Sequence, residues 1–286
     1  MATIKLNNWI TIPAVWFWTW LIPDDKVAEP VKIAIKLWYR LIDTAQIYMN
    51  EEWVWKWIRE CWIPREELFI TSKVTAFIKN YEEAKKSIDE SLEKMGLDYL
   101  DLMIIHAPQP WNEFRTSENQ YYKENLEVWR ALEEAYKEWK LKAIGVSNFH
   151  NSDLQNIIDN CEIKPMVNQV LSHAGQTPFE IIDFCKKNDI VVEAYSPIAH
   201  WQAGRIKEVV EMAEKYGKSI SQICIKHQLQ LGLVVLPKAT SEAHIKENFD
   251  LDFEISEEDM NILNNAKPLE DYWADNHFEV FKYSWK

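Results

Sequence analysis

Residues 81–106 read YEEAKKSIDESLEKMGLDYLDLMIIH, a stretch that changes its hydrophobic period partway along. Over 81–95, Ala84, Ile88, Leu92 and Met95 recur at helical spacing and form one stripe, with charged side chains on the opposite face. Over 99–105 the run DLMII is almost continuously apolar and too short for a helix. A strand of that kind suits a parallel sheet covered on both faces by helices, so this one stretch points to α/β architecture.

The same alternation extends in both directions. Short aliphatic or β-branched runs at 14–19, 40–43, 68–73, 99–105, 142–146, 166–170, 190–195 and 233–236 predict eight strands. Between them, 122–138 places Leu126, Trp129, Leu132 and Tyr136 on one helical stripe. Barrels of eight strand-helix units run to ~250 residues. The chain has 286 residues and no linker-like composition break, which predicts a single domain over 1–286, a (β/α)8 TIM barrel. An open doubly wound sheet usually carries a glycine-rich turn after its first strand, and none is written here. Ahead of the first strand, IKLNNWITIPA (4–14) alternates Ile4/Leu6 with Ile10/Ile12 around Asn7-Asn8, predicting an N-terminal β-hairpin that plugs the barrel floor. A last helix is predicted over 251–264, begun by Ser256 with Glu257 and Glu258 in its first turn. The aromatic tail from Lys267 to Lys286 is then expected to cover the pocket mouth.

A formal net charge of −13 repels nucleic acid and anionic lipid over most of the surface, so neither is expected as a partner. No apolar run approaches the ~20 residues of a membrane-spanning helix, and the start MATIKLNN lacks an export pattern. Cys61, Cys161, Cys185 and Cys224 are scattered without metal-ligand spacing, which fits a reduced, cytoplasmic protein with no metal site. A monomer acting on a small molecule is the expectation.

In such barrels the chemistry sits where strands end, at the C-terminal face. The second strand ends in Asp43 with Tyr48 five residues on, the third in Lys73 and the fourth in His106. The fifth runs into Ser147 and Asn148, the sixth carries Gln169, the seventh ends in Tyr195-Ser196 and the eighth in Lys238. Each alone reads as a satisfied polar group. Together, Asp43, Tyr48, Lys73 and His106 make an acid catalyst for a carbonyl: the Lys73 ammonium is expected to lower the phenol's pKa, Asp43 to keep Lys73 protonated, and neutral His106 to bind the substrate oxygen. A second chemistry uses the same atoms, since an unpaired, desolvated Lys73 forms a Schiff base in an aldolase. A noncatalytic cofactor-binding barrel is a further alternative.

The strings LIDTAQIYMNEE, PREELFITSKV, LDYLDLMIIHAPQP, KAIGVSNF, IKPMVNQV, VVEAYSP and LPKAT followed by IKENFD, in this order over about residues 3–265, closely resemble the aldo-keto reductases, particularly bacterial ones similar to 2,5-diketo-gluconate reductases. The resemblance implies NADPH-dependent reduction of a small carbonyl substrate, with Tyr48 as acid and Asp43, Lys73 and His106 completing the catalytic set. It implies that Ser147, Asn148 and Gln169 hold the cofactor's carboxamide and that Tyr195 stacks on its nicotinamide. Ser196 falls in the loop over the pyrophosphate, Lys238 at the 2′-phosphate with Thr240 beside it, and His244, Glu247 and Asn248 at the adenosine end. His244 stands where the family commonly has Arg, a weaker partner for a phosphate. Ala107 follows His106 where many relatives have Trp, and LSHAG replaces the commoner EYHP, so the substrate wall differs. Trp20, Trp111 and His106 are the candidate substrate contacts.

There are fifteen tryptophans and only six glycines. Ten of the tryptophans, Trp9, Trp16, Trp18, Trp38, Trp53, Trp55, Trp57, Trp62, Trp139 and Trp201, stand where the resemblance implies glycine. Trp9 follows Asn8 in a predicted hairpin turn where Asn-Gly supplies φ > 0 at both central residues. Trp38 and Trp139 fall at helix ends where glycine caps. Trp16 and Trp18 lie in a barrel strand, where two indoles would overpack the interior at a cost of several kcal/mol. Trp53, Trp55 and Trp57, spaced by two, cannot share a helix face. UGA is translated as glycine in some genetic codes and as tryptophan in others, and a misread UGA accounts for all ten. That reading predicts UGA at the ten codons and UGG at Trp20, Trp111, Trp129, Trp273 and Trp285.

Overall fold

The computed structural model describes residues 3–20, 28–60, 63–272 and 279–282. Trp62, Trp273 and Trp285 lie outside the described residues, as does the Trp57 side chain. A two-stranded antiparallel hairpin, β1 (Thr3–Lys5) and β2 (Thr11–Pro13), precedes eight parallel strands: β3 (Phe17–Trp18), β4 (Leu41–Asp43), β5 (Phe69–Val74), β6 (Leu102–Ile105), β7 (Ile144–Ser147), β8 (Val167–Leu171), β9 (Val191–Tyr195) and β10 (Val234–Leu236). They pair in sequence order from β3 to β10. The ends meet as well: Trp16 N donates to Val235 O at 2.9 Å, Val235 N to Ala14 O at 2.8 Å and Trp18 N to Pro237 O at 3.3 Å. A parallel bridge between Val15 and Val235 completes the closure, so the sheet is a (β/α)8 barrel.

The helices are α1 (Ala28–Lys36), α2 (Glu51–Glu60), α3 (Tyr81–Met95), α4 (Tyr122–Lys137), α5 (Asn151–Asn160), α6 (Phe179–Lys187), α7 (Lys207–Tyr216), α8 (Ile220–Gln230), α9 (Glu242–Glu247), α10 (Glu257–Asn264) and α11 (Glu279–Lys282). Helix α3 buries the predicted stripe of Ala84, Ile88, Leu92 and Met95 against the barrel; the Asn80 side chain caps its start by accepting from Glu83 N, and left-handed Gly96 ends it. Helix α10 starts after Ser256 with Glu257 and Glu258 in its first turn, as predicted, although the predicted segment reached back to 251. Ser256 is its N-cap, and the preceding segment is held in non-helical form by Ile255 N donating to Gln230 Oε1 and Gln230 Nε2 donating to Ile255 O. None of the described helices is long and apolar enough to cross a membrane.

The hairpin sits on the floor as expected, because Asn7 and Asn8 donate through their amides to Pro165 O and Lys142 O, which precede β8 and β7. Its turn differs from the expected two-residue form. Trp9 N donates to Leu6 O and Leu6 N to Ile10 O, and of the central residues only Trp9 has positive φ, 74°. This is a turn closed by a left-handed bulge position, a place that favours glycine. The predicted overpacking by Trp16 is accommodated: the indole is fully buried beside Phe69 and its N–H donates to Pro13 O at 2.9 Å.

Candidate active site

Asp43, at the end of β4, and Lys73, near the end of β5, are both wholly buried and meet inside the barrel. Lys73 Nζ lies 2.5 Å from Asp43 Oδ1 and 2.8 Å from Thr44 O. Burial drives the carboxyl pKa up and the amine pKa down, and their mutual attraction opposes both displacements. A Schiff base would need the unpaired amine that this geometry does not offer.

Tyr48 ends a 3-10 turn, Gln46–Tyr48. Gln46 anchors that turn by donating to Ser87 O and Ser91 Oγ and accepting from Thr75 N. The Lys73 ammonium stands 4.9 Å from the centre of the Tyr48 ring. The expected lowering of the phenol pKa does not follow. Burial, with the Asp43 and Tyr195 acids adding to it, holds Tyr48 well above its usual value, against a smaller opposing effect from the Trp18 indole N–H. Lys73 is already matched by Asp43, so little positive field remains for the phenol.

His106 follows β6 and is buried, with its ring 5.7 Å from that of Tyr48 and 5.1 Å from Trp111. Burial, then Lys73, depresses its pKa well below the ordinary range, so it is a neutral imidazole, the form expected of a hydrogen-bond donor to a carbonyl. Its Nδ1 is buried with no protein partner.

The neighbouring strand ends form one network. Ser147 Oγ donates to Gln169 O, Asn148 Nδ2 donates to Ser147 Oγ and His106 O, and the Tyr195 hydroxyl donates to Asn148 Oδ1 at 2.8 Å. Gln169 Nε2 donates inward to Asp43 Oδ2 at 3.1 Å and Glu193 Oε2 at 2.9 Å. Glu193 was not among the sequence candidates. The signal for it was a carboxylate inside the apolar run IVVEAY, and burial pushes its pKa well above the ordinary range.

Farther out, Ser196 bonds His200 Nε2 at 2.9 Å, and His200 Nδ1 meets the Tyr272 hydroxyl at 2.6 Å. Phe281 of α11 packs on His200, Trp20 and Tyr195, so this described part of the tail covers the rim as predicted; 273–278 and 283–286 lie outside the described residues. A cavity of about 210 Å³ is lined by Trp18, Trp20, Ser196, Pro197, Ile198, His200, Trp201, Leu236 and Lys238. A larger one, about 550 Å³, lies at the hairpin end beside Leu6, Asn7 and Trp9, and none of Asp43, Tyr48, Lys73, His106 or Lys238 lines it. Thr240 and His244 are exposed, Glu247 is half-buried and Asn248 is buried.

Two groups suit a phosphorylated dinucleotide: the Lys238 cation in the cavity and the buried Asn248 Oδ1, which has no protein partner. Between them they do not fit. Trp18 stacks on Trp20 with ring centres 5.0 Å apart, lies 5.8 Å from the Tyr195 ring, and donates from Nε1 to the Tyr48 hydroxyl at 3.3 Å. The cavity therefore ends at Trp18, with Tyr48 and His106 behind it.

The profile of the Aldo/keto reductase family matches residues 14–267. The chain is 44% identical over 262 residues to the glyoxal reductase of Bacillus subtilis (strain 168), covering 90% of each chain. It is 34% identical over 262 residues to the methylglyoxal reductase DkgA of Escherichia coli (strain K12), covering 91% of each. A Bombyx mori aldo-keto reductase solved in complex with NADP superposes with a TM-score of 0.82 at 31% identity, over 96% of this chain and 97% of that one.

Proposed function

The chain belongs to the aldo/keto reductase family, and from that premise we propose that it reduces small aldehydes and ketones to alcohols with NADPH, Tyr48 supplying the proton. The observation that carries the proposal is the convergence of Tyr48, His106 and the Asp43–Lys73 pair on one barrel rim, with the Tyr48 and His106 rings 5.7 Å apart. NADPH, when bound, supplies the hydride. Ser147, Asn148, Gln169, Tyr195, Ser196, Lys238, Thr240, His244, Glu247 and Asn248 are the residues proposed to hold it, and the Lys238 cation favours the phosphorylated form of the cofactor.

The chain's own groups handle the oxygen. Tyr48 keeps its proton across the neutral range because burial disfavours the phenolate. Neutral His106 directs the carbonyl oxygen without competing to protonate it. Lys73 and Asp43 act beneath the phenol as a fixed dipole, and Trp20 and Trp111 are proposed as apolar walls.

Glyoxal and methylglyoxal head the substrate panel, since two relatives are named for them. The test is NADPH oxidation with these, other small aldehydes and keto sugars, run on the unsubstituted chain and on W18G. Turnover that Tyr48→Phe abolishes, with cofactor affinity retained, is the expected result. Cofactor binding without turnover of any carbonyl would point to a noncatalytic barrel.

A further inference from the structure

We infer that residue 18 is glycine in the chain that works, as are residues 9, 38, 139 and 201, and that glycine at 18 is what opens the cofactor cleft. The inference rests in part on Tyr195 and Tyr48 flanking the proposed nicotinamide seat.

The backbone evidence is internal to the fold. Helix α3 ends with Gly96 N donating to Glu93 O and Leu97 N to Leu92 O, a cap with φ of 61° at the glycine. Gly217 and Lys218 repeat it at the end of α7, bonding Glu214 O and Ala213 O, and Gly232 and Leu233 repeat it after α8, bonding Leu229 O and Gln228 O. Trp38 and Tyr39 make the same two bonds, to Ile35 O and Ala34 O, with φ of 70° at the tryptophan. Trp139 and Lys140 make them again, to Tyr136 O and Ala135 O, with φ of 63°. A sixth copy has Asp189, a residue type that adopts this conformation more readily than a large aromatic one. Left-handed backbone also occurs at Met49, Arg115 and Tyr121, so the repeated bond pattern is what singles out 38 and 139. Trp9, in the hairpin bulge, and Trp201 also have positive φ, 74° and 70°. The four indoles are 61% to 83% exposed, so burial gives no return for the strained backbone. Trp129 is the contrast: it is buried in α4 with its N–H satisfied by Ile163 O.

Position 18 joins this set through the site. Its indole reaches the Tyr48 hydroxyl on one side and the Tyr195 ring on the other, closing the space between Lys238 and the proton donor. The remaining 210 Å³ is below the ~300–1,000 Å³ of typical small-molecule sites. Glycine at 18 removes the indole and joins the cavity to Tyr48 and His106.

Calorimetric titration with NADPH, measured beside Tm, tests both halves. W18G is expected to bind at least about tenfold more tightly than the unsubstituted chain, as when a closed minor state becomes the populated one. Equal affinity overturns the gate. The triple variant W9G/W38G/W139G, whose sites lie away from the cleft, is expected to raise Tm and leave the NADPH affinity of a W18G background unchanged; a lowered Tm overturns the backbone half. In the gene, UGA is expected at codons 9, 18, 38, 139 and 201 and UGG at 20, 111 and 129, a readout independent of folding, and UGG at 18 and 38 overturns the inference. A W18G protein that binds NADPH but reduces no carbonyl counts against the reductase reading and leaves the gate standing, so the two failures are distinguishable.

Discussion

Tyr48 and His106 depart from their ordinary pKa values in opposite directions for one reason: burial penalises whichever form carries charge. The phenol stays protonated and the imidazole stays neutral. The rate of carbonyl reduction is therefore expected to be flat across neutral pH, with no inflection near 6.5 from His106, and His106→Asn is expected to lower kcat by about 100-fold without creating one. A pH profile of kcat that bends at the ordinary histidine value would contradict the neutral assignment. Glu193 makes a second case. Its raised folded pKa means that the protonated acid is favoured in the fold, so its contribution is full below the unfolded value near 4.5 and is lost as pH rises toward the folded value. Glu193→Gln is expected to match the parent Tm in acid and exceed it at neutral pH; a constant difference across pH would count against a protonated Glu193. The proposed catalytic set was legible in the sequence because Asp43, Lys73 and His106 each fall at the end of an apolar strand run, with Tyr48 in the turn just beyond the first of them. The direction of the Tyr48 shift was not, since it depends on how completely Asp43 cancels Lys73, which spacing does not encode.

Helices and strands were legible where burial is one-sided and periodic, as in α3, and less so at their boundaries. Residues 14–19 looked like a full strand, yet only Phe17–Trp18 pair in register along β4, while Ala14, Trp16 and Trp18 make the backbone bonds to Val235 and Pro237 that close the barrel. The 251–264 segment reached back too far, but the predicted start at Ser256 holds, its hydroxyl accepting from Asp259 N. Asp259 in turn takes two 2.8 Å bonds from Lys215 and one of 2.5 Å from the Tyr216 hydroxyl, which hold its pKa down to about 2. A depressed carboxyl contributes stability that is present above the unfolded value near 3.8 and lost as pH falls through 2. Asp259→Asn is accordingly expected to lower the urea midpoint at neutral pH, with the gap from the parent closing as pH falls from about 4 to 2. Ser256→Ala is expected to cost about 1 kcal/mol, read by the same titration. Gly145 in β7 shows the other kind of local demand: a Cβ there would lie 2.7 Å from Val167 O, so Gly145→Ala forces β7 away from β8.

The barrel as a whole divides its work between its ends. At the floor, Asn7 and Asn8 tie the hairpin to the chain entering β8 and β7; at the rim, Lys238 lines the cavity, and Trp18 separates it from Tyr48. The two ends are separated by the packed interior of the barrel, so substitutions at one should leave the other's readout unmoved. Replacing both Asn7 and Asn8 by Ala removes three side-chain hydrogen bonds, to Pro165 O, to Lys142 O and from Ile10 N, worth about 0.5–1.5 kcal/mol each. That double variant is expected to lower the urea midpoint with the NADPH dissociation constant unchanged in a W18G background. Lys238→Ala should do the reverse, raising the dissociation constant by about tenfold or more, as for loss of a bond to a charged group, while Tm stays near the parent value. The distinction also bears on the surface field. A formal net charge of −13 repels an anion at long range, and the contact proposed for Lys238 is a local attraction that opposes it. Raising ionic strength screens both contributions, so the parent's NADPH affinity should change less with salt than a basic protein's would. If the floor variant altered NADPH binding as much as Lys238→Ala does, the two ends would be coupled and the rim assignment of Lys238 would lose its footing.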